Sequence, residues 1–284
     1  MNNNLKELLE KRFGKVKSIN LLKGGDTSEV FKIETENERI VVKTNSGSGS
    51  IRMFEVEKKG LELLAKTNTI GIPKVYGNEV INNESYLFLE FIETKPPDSQ
   101  DFAKLGSCLR SLHNQSSVLF GLDFDNWIGS LEQKNTYETQ WQEFYINHRL
   151  WPQMKKSDLK HSTSFTTTYN KSKLRDCHLL QDLNIKPKLL HGDLWSGNFV
   201  IKHDGTPYLI DPAVYYGDPL VDIAMSKLFG GFESYFYETY FDGNDLINGD
   251  LIEIYQLYYL LVHLNIFGAS YLESVNRLMK KHFG

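Results

Sequence analysis

The 284-residue chain is 40% apolar and 24% charged, enough hydrophobic material for one large domain or two lobes. Acidic residues outnumber basic ones 36 to 32, so the net charge of −4 offers no basic field for nucleic acid. Two cysteines, Cys108 and Cys177, are too few for a disulfide framework and suit a reducing cytosol.

Met1-Asn2-Asn3-Asn4-Leu5-Lys6 lacks the apolar stretch of a signal peptide, so a cytoplasmic protein is expected. Residues 5–13 pattern as a short amphipathic helix, and 18–22 as a strand leading into Lys23-Gly24-Gly25-Asp26-Thr27-Ser28. Val30–Ile33 continues as a second strand and, past the polar turn at residues 36–38, Arg39–Thr44 as a third. The flexible Ser46–Ser50 tract ends on Ser50, a suitable N-cap for a helix over about 51–66. On that helix Met53, Glu57, Leu61 and Leu64 share one side. Glu57 is therefore an acid in an apolar stripe, costly to bury unpaired, and Lys43 on the third strand is its expected partner. Glu55, on another face, is the weaker candidate.

Strands at 74–76 and 86–91 precede Thr94-Lys95-Pro96-Pro97-Asp98, whose prolines mark a hinge. The expected division is thus 1–93 and 94–284. A helix over 99–113 buries Phe102, Leu105, Leu109 and Leu112, with Cys108 expected in the core. Residues 137–151 are unusually aromatic. Lys155, Lys156, Lys160, Lys171 and Lys173 sit among Ser, Thr and Asp and read as a solvated polar insert. From about Leu220 onward the pattern is helical. The most apolar segment, Leu251–Leu264, carries Glu253, Gln256 and His263 and is too short to span a bilayer, so it reads as a buried helix and no membrane association is expected.

The chemistry concentrates in Leu190-His191-Gly192-Asp193-Leu194-Trp195-Ser196-Gly197-Asn198 and in Asp211, thirteen residues on. Phosphoryl transfer from ATP needs a carboxylate to orient the attacking hydroxyl, plus an amide oxygen and a second carboxylate for magnesium. Asp193 is the candidate base, and Asn198 and Asp211 are the candidate Mg2+ ligands, hard oxygen donors of the kind this ion prefers. Lys43, held by Glu57, is placed to meet the phosphates. Gly24, Gly25, Thr27 and Ser28 are candidates to close over them, although a Gly-Gly turn alone is more often a hairpin. Glu90, Phe91 and Ile92 stand where backbone groups would bind adenine. His191 and Asp222 are expected to brace the loop by hydrogen bonds. Trp195 is either a cover for a sugar ring or a packing anchor, and Asp218 a candidate for the acceptor pocket. Gly192 in place of an arginine, and Asp211-Pro212-Ala213 in place of Asp-Phe-Gly, point to a kinase of small hydroxylated substrates.

The loop motif with Trp195 inside it, Arg52-Met53-Phe54-Glu55-Val56-Glu57 before Leu61, Lys66–Thr69, and Asn135-Thr136 before Trp141 resemble the fructosamine kinase (ketosamine 3-kinase) family. So do Tyr215-Tyr216-Gly217, Asp222–Phe232, Tyr255–Tyr258 and His263-Leu264-Asn265, so the likeness spans nearly the whole chain. This family is related to aminoglycoside phosphotransferases and choline kinases. The resemblance implies an α+β, two-lobed protein-kinase-like fold, with a small antiparallel-sheet N-lobe bearing one helix and a mainly helical C-lobe. It also implies ATP- and magnesium-dependent phosphorylation of the 3-hydroxyl of ketosamines, either small molecules or glycated protein lysines, leading to deglycation. Two alternatives stay open: another small-molecule kinase of the aminoglycoside or choline type, and a non-catalytic kinase-like nucleotide-binding module. The intact set Lys43, Asp193, Asn198 and Asp211 weighs against the second.

Overall fold

The computed structural model describes residues 3–22, 28–47, 49–181, 183–243 and 248–284. Chain contacts divide it into two compact units, Met1–Pro97 with Phe199–Asp211, and Asp98–Asn198 with Pro212–Gly284. The expectation of a single break after residue 93 did not include this return of 199–211 to the first unit.

In the first unit, α1 (Asn3–Phe13) leads into an antiparallel sheet of β1 (Val16–Leu22), β2 (Glu29–Thr35), β3 (Arg39–Ser46), β4 (Val75–Ile81) and β5 (Glu84–Glu90), in the order β1-β2-β3-β5-β4. α2 (Ser50–Ala65) follows β3, so this unit carries two helices rather than one. Successive strand residues point to opposite faces, and the sequence uses both. Ile40, Val42, Tyr86 and Phe88 pack with Leu5, Leu9 and Phe13 of α1, while Leu87 and Leu89 pack with Phe54 and Leu61 of α2. Lys43, next after Val42, accordingly falls on the α2 face. Ser50 does not cap α2. Gly49 is the N-cap, and the Ser50 hydroxyl instead donates to the Gly47 carbonyl (2.9 Å) and meets Ser85 Oγ (2.8 Å).

A second, three-stranded sheet joins β6 (Thr94–Lys95), β10 (Phe199–Lys202) and β11 (Pro207–Leu209). Gly71 straps this hairpin, its N–H donating to Pro207 (3.0 Å) and its carbonyl accepting from Leu209 (2.9 Å). A Cβ at Gly71 would stand 2.6 Å from the Tyr208 ring, so only glycine lets the strand approach. The strapped hairpin ends two residues before Asp211.

The second unit opens with α3 (Ser99–Leu112), started by a reciprocal capping box between Asp98 and Asp101. Cys108 on this helix is half-buried, not core, whereas Cys177 is buried. The hairpin β7 (Asn126–Ile128) and β8 (Leu131–Gln133) precedes α4 (Trp141–Tyr145), which passes through one π-helical turn (Ile146–Leu150) into α5 (Trp151–His161). The aromatic tract is mostly core: Trp141, Phe144 and Tyr145 are buried, and the π turn carries a fully buried Arg149. Its guanidinium lies 3.8 Å from the Tyr215 ring centre and donates to Lys134 O and Asn135 Oδ1. The short α6 (Phe165–Thr168) and α7 (Lys171–Arg175) follow, and the predicted lysines are exposed except for Lys171, whose ammonium reaches Asn147.

Strand β9 (Lys188–Leu190) pairs with β12 (Tyr215–Gly217), and the rest is helical: α8 (Leu220–Leu228), α9 (Ser234–Phe241), α10 (Gly249–Phe267) and α11 (Leu272–Phe283). α10 is buried along Leu251–Leu264 as its composition predicts, with Glu253, Gln256 and His263 at its less buried positions. Among the described residues no helix is long and apolar enough to cross a membrane.

Candidate active site

Three charged groups meet in the first unit. Lys43 Nζ stands 2.6 Å from Glu57 Oε1 and 2.7 Å from Asp211 Oδ1. The sheet aims Lys43 at α2, and Glu57 occupies that helix's inner stripe with Phe54, Leu61 and Leu64; Met53 is only half-buried. Burial pulls the Lys43 ammonium downward, but the charges of Asp211 and Glu57 outweigh it, and the lysine is held well above its ordinary range. Burial, with the nearby Asp211 charge, raises Glu57 against the opposing pull of Lys43. Lys43 and Glu57 are 9% and 13% exposed, whereas Asp211 is 41% exposed and so the member open to a ligand. Asp211 sits at φ 55°, a left-handed conformation that Asp tolerates and most residues do not.

The expected adenine-binding segment ends β5. Glu90 accepts from the Lys74 N–H (3.0 Å), the Phe91 ring lies under Lys32 and Arg39, and Ile92 is buried. Those side chains serve the local fold, which leaves any nucleotide contact to the main chain. Gly24, Gly25 and Thr27 lie outside the described residues. Ser28 is half-buried, and its Oγ accepts from Asn45 (3.5 Å).

The loop His191–Asn198 belongs to the second unit. Asn198 is buried, and its side-chain N–H group donates to the Asp193 carbonyl (2.8 Å) and to Asp193 Oδ2 (3.1 Å). With the nitrogen so committed, the Asn198 oxygen is the atom left for a cation. His191 is fully buried and its Nδ1 accepts from the Asp193 N–H (3.3 Å), a bracing role as expected. Asp222, also fully buried, accepts from the N–H groups of His191 and Gly192 (2.8 Å each) and faces His113 Nε2 (3.1 Å). Gly192 explains the missing arginine. Its φ is +85°, and a Cβ there would lie 2.1 Å from the Ala213 carbonyl oxygen.

Trp195 is 37% exposed, and a Cβ on Gly197 would fall 2.3 Å from its indole, so the ring lies over Gly197. It is thus both anchored and partly open. Asp218 is a correction. It is 3% exposed, accepts from Tyr255 Oη (2.5 Å) and from the Leu220 N–H (3.0 Å), and burial raises it, so it is a structural acid rather than part of an open acceptor pocket.

Sequence reasoning missed His113, Gln133, Tyr258 and Tyr259, which all join the scaffold of the loop. The available signal was two consecutive tyrosines inside the most apolar helix, where a buried hydroxyl must find a partner.

Asn198 in the second unit and Asp211 in the first each offer a hard oxygen of the kind magnesium prefers. The model of the family described as Fructosamine kinase matches residues 1–283. A "Probable ketoamine kinase" of Lactiplantibacillus plantarum is 37% identical over 94% of this chain and 95% of its own length. The chloroplastic protein-ribulosamine 3-kinase of Arabidopsis thaliana is 34% identical over 94% of this chain and 83% of its own. The crystal structure of a "Putative fructosamine-3-kinase" from Haemophilus somnus 129PT superposes with a TM-score of 0.87 at 31% identity, covering 99% of this chain and 97% of that one.

Proposed function

The chain belongs to the fructosamine kinase family, and from that premise we propose that it transfers the γ-phosphoryl group of ATP to the 3-hydroxyl of ketosamines. Ketosamines are the adducts that sugars form with amines, free or on protein lysines. The 3-phosphorylated product breaks down and releases the amine, so the outcome is deglycation.

Each residue then has a task. Asp193 accepts a hydrogen bond from the acceptor hydroxyl and takes its proton as the oxygen bonds to phosphorus. Lys43 binds phosphate oxygens, and Glu57 keeps it charged and aimed. Asn198 and Asp211 would hold magnesium, which neutralises phosphate charge when bound. Main-chain groups of residues 90–92 take the adenine. Trp195 presents its exposed edge to the ketose. Catalysis on this scheme is positioning and charge neutralisation, with no covalent enzyme intermediate.

The observation that carries the proposal is the ion cluster Lys43–Glu57–Asp211, a buried lysine held between two acids. The test is a coupled ADP-release assay over fructosyl-lysine, ribulosyl-lysine, erythrulosyl-lysine, choline and kanamycin. Turnover should be confined to the ketosamines. Asp193→Ala should lower it by about 10²–10⁴-fold while ATP affinity stays within about two-fold. Turnover on choline or kanamycin but on no ketosamine refutes the substrate assignment, and an active Asp193→Ala refutes the base.

A further inference from the structure

The main chain of the two residues before Asp193, His191 and Gly192, is tied at all four polar atoms. The His191 and Gly192 N–H groups donate to Asp222 (2.8 Å each), and the His191 carbonyl accepts from the Ala213 N–H (2.9 Å). The Gly192 carbonyl accepts from Tyr259 Oη at 2.9 Å. Tyr259 stands on α10, fully buried, beside Tyr258, which is 1% exposed. Tyr258 Oη donates to Gln133 Oε1 (2.6 Å), and Gln133 Nε2 donates to Asn126 Oδ1 (2.8 Å) and to the Ala213 carbonyl (3.2 Å). Ala213 is the residue that holds His191.

Neighbouring helix residues point about 100° apart, so one helix reaches the same dipeptide along two routes. The first runs from Tyr259 to Gly192, and the second from Tyr258 through Gln133 and Ala213 to His191. Phenylalanine would fill either space equally well, so what the tyrosines add is the oxygen. A buried hydroxyl costs free energy unless bonded, and burial raises both phenols, keeping them neutral donors.

We propose that Tyr258 and Tyr259 of α10 are positioning residues for Asp193, fixing the His191–Gly192 segment so that the carboxylate is held at the acceptor hydroxyl. The proposal rests on Asp193 being the base. It gives α10 a part in placing the base.

The test compares wild type, Tyr259→Phe and Tyr258→Phe in steady-state kinetics, with ATP and fructosyl-lysine or ribulosyl-lysine varied in turn. Misplacement of a catalytic group acts on turnover more than on binding. Tyr259→Phe should lower kcat about ten-fold and Tyr258→Phe about three-fold, with both KM values within about two-fold of wild type. The double variant should fall short of the product of the two effects, because both routes end on one dipeptide. Amide hydrogen exchange at residues 191–193 should quicken in Tyr259→Phe below its melting transition. A kcat within two-fold of wild type in both single variants overturns the proposal, as does an equal loss spread into KM. If Tyr259→Phe does not fold, Tyr258→Phe decides by the same criteria. Wild type inactive on both acceptors refutes the proposed function instead; exchange at 191–193 then decides the positioning role, and unchanged rates refute it.

Discussion

The two halves of the machinery are built from different materials. In the first unit Lys43, Glu57 and Asp211 are held to one another by charge, at 2.6 and 2.7 Å. In the second, the approach to Asp193 is held by main-chain and side-chain hydrogen bonds buried in the core, two of them to the Asp222 carboxylate. Charges can trade one partner for another at modest cost when a ligand of the right sign arrives. A buried peptide with every polar atom paired has no such freedom. The ionic cluster is therefore the adaptable one, and the hydrogen-bonded loop the fixed one; on the proposed function, the first would meet the nucleotide and the second the acceptor.

The largest effect that would sharpen this contrast is in the ionic half. Lys43→Met should cut kcat/KM by about 10²–10³-fold and raise the KM for ATP, because phosphate contact is lost and two acids are left facing each other. The protein should also lose about 3–5 kcal/mol of stability, since Glu57 is buried and left without its cation. Steady-state kinetics with a thermal melt check both. Next comes Gly192→Ala in the hydrogen-bonded half. A left-handed φ and a contact of 2.1 Å with Ala213 should cost about 2–4 kcal/mol in denaturant titration, with activity lost alongside. Should Lys43→Met keep its kcat/KM and Gly192→Ala prove benign, the contrast is reversed.

The smallest effect lies away from both halves and gives the baseline for an ordinary structural acid. Asp158 accepts from the Thr163 and Thr166 hydroxyls and from the Phe165 and Thr166 N–H groups. Burial would raise its carboxyl, but these bonds outweigh that and hold it below its ordinary value of 3.8. Its contribution is thus complete above that value and lost as pH falls through the lower, folded one. Asp158→Asn should cost about 1–2 kcal/mol at pH 7, shrinking as pH falls below 3.8, with kcat unchanged.

The ionic half was legible because strand and helix periods announce themselves. Ile40 and Val42 facing one way put Lys43 the other way, and Glu57 stood out within an apolar stripe. Asp193, Asn198 and Asp211 were singled out by their spacing, and the bracing part of Asp222 was legible from its place in an apolar run. Asp218 was misjudged because sequence shows that a residue is polar, not that the fold has buried it against Tyr255. Ser50 was misassigned because its hydroxyl had a partner on β5, Ser85, 35 residues away. The route from Tyr258 through Gln133 to Ala213 spans contacts 125 and 80 residues apart, which no local pattern encodes.

Helix α10 carries three buried hydroxyls within five residues: Tyr255 to Asp218, Tyr258 to Gln133 and Tyr259 to Gly192. A greasy rod can slide or roll by one turn and still find apolar neighbours, but this one would break all three bonds at once. Its register is therefore pinned. Heat inactivation should then track the unfolding of the second unit, with no milder stage in which the protein keeps its shape yet loses its aim.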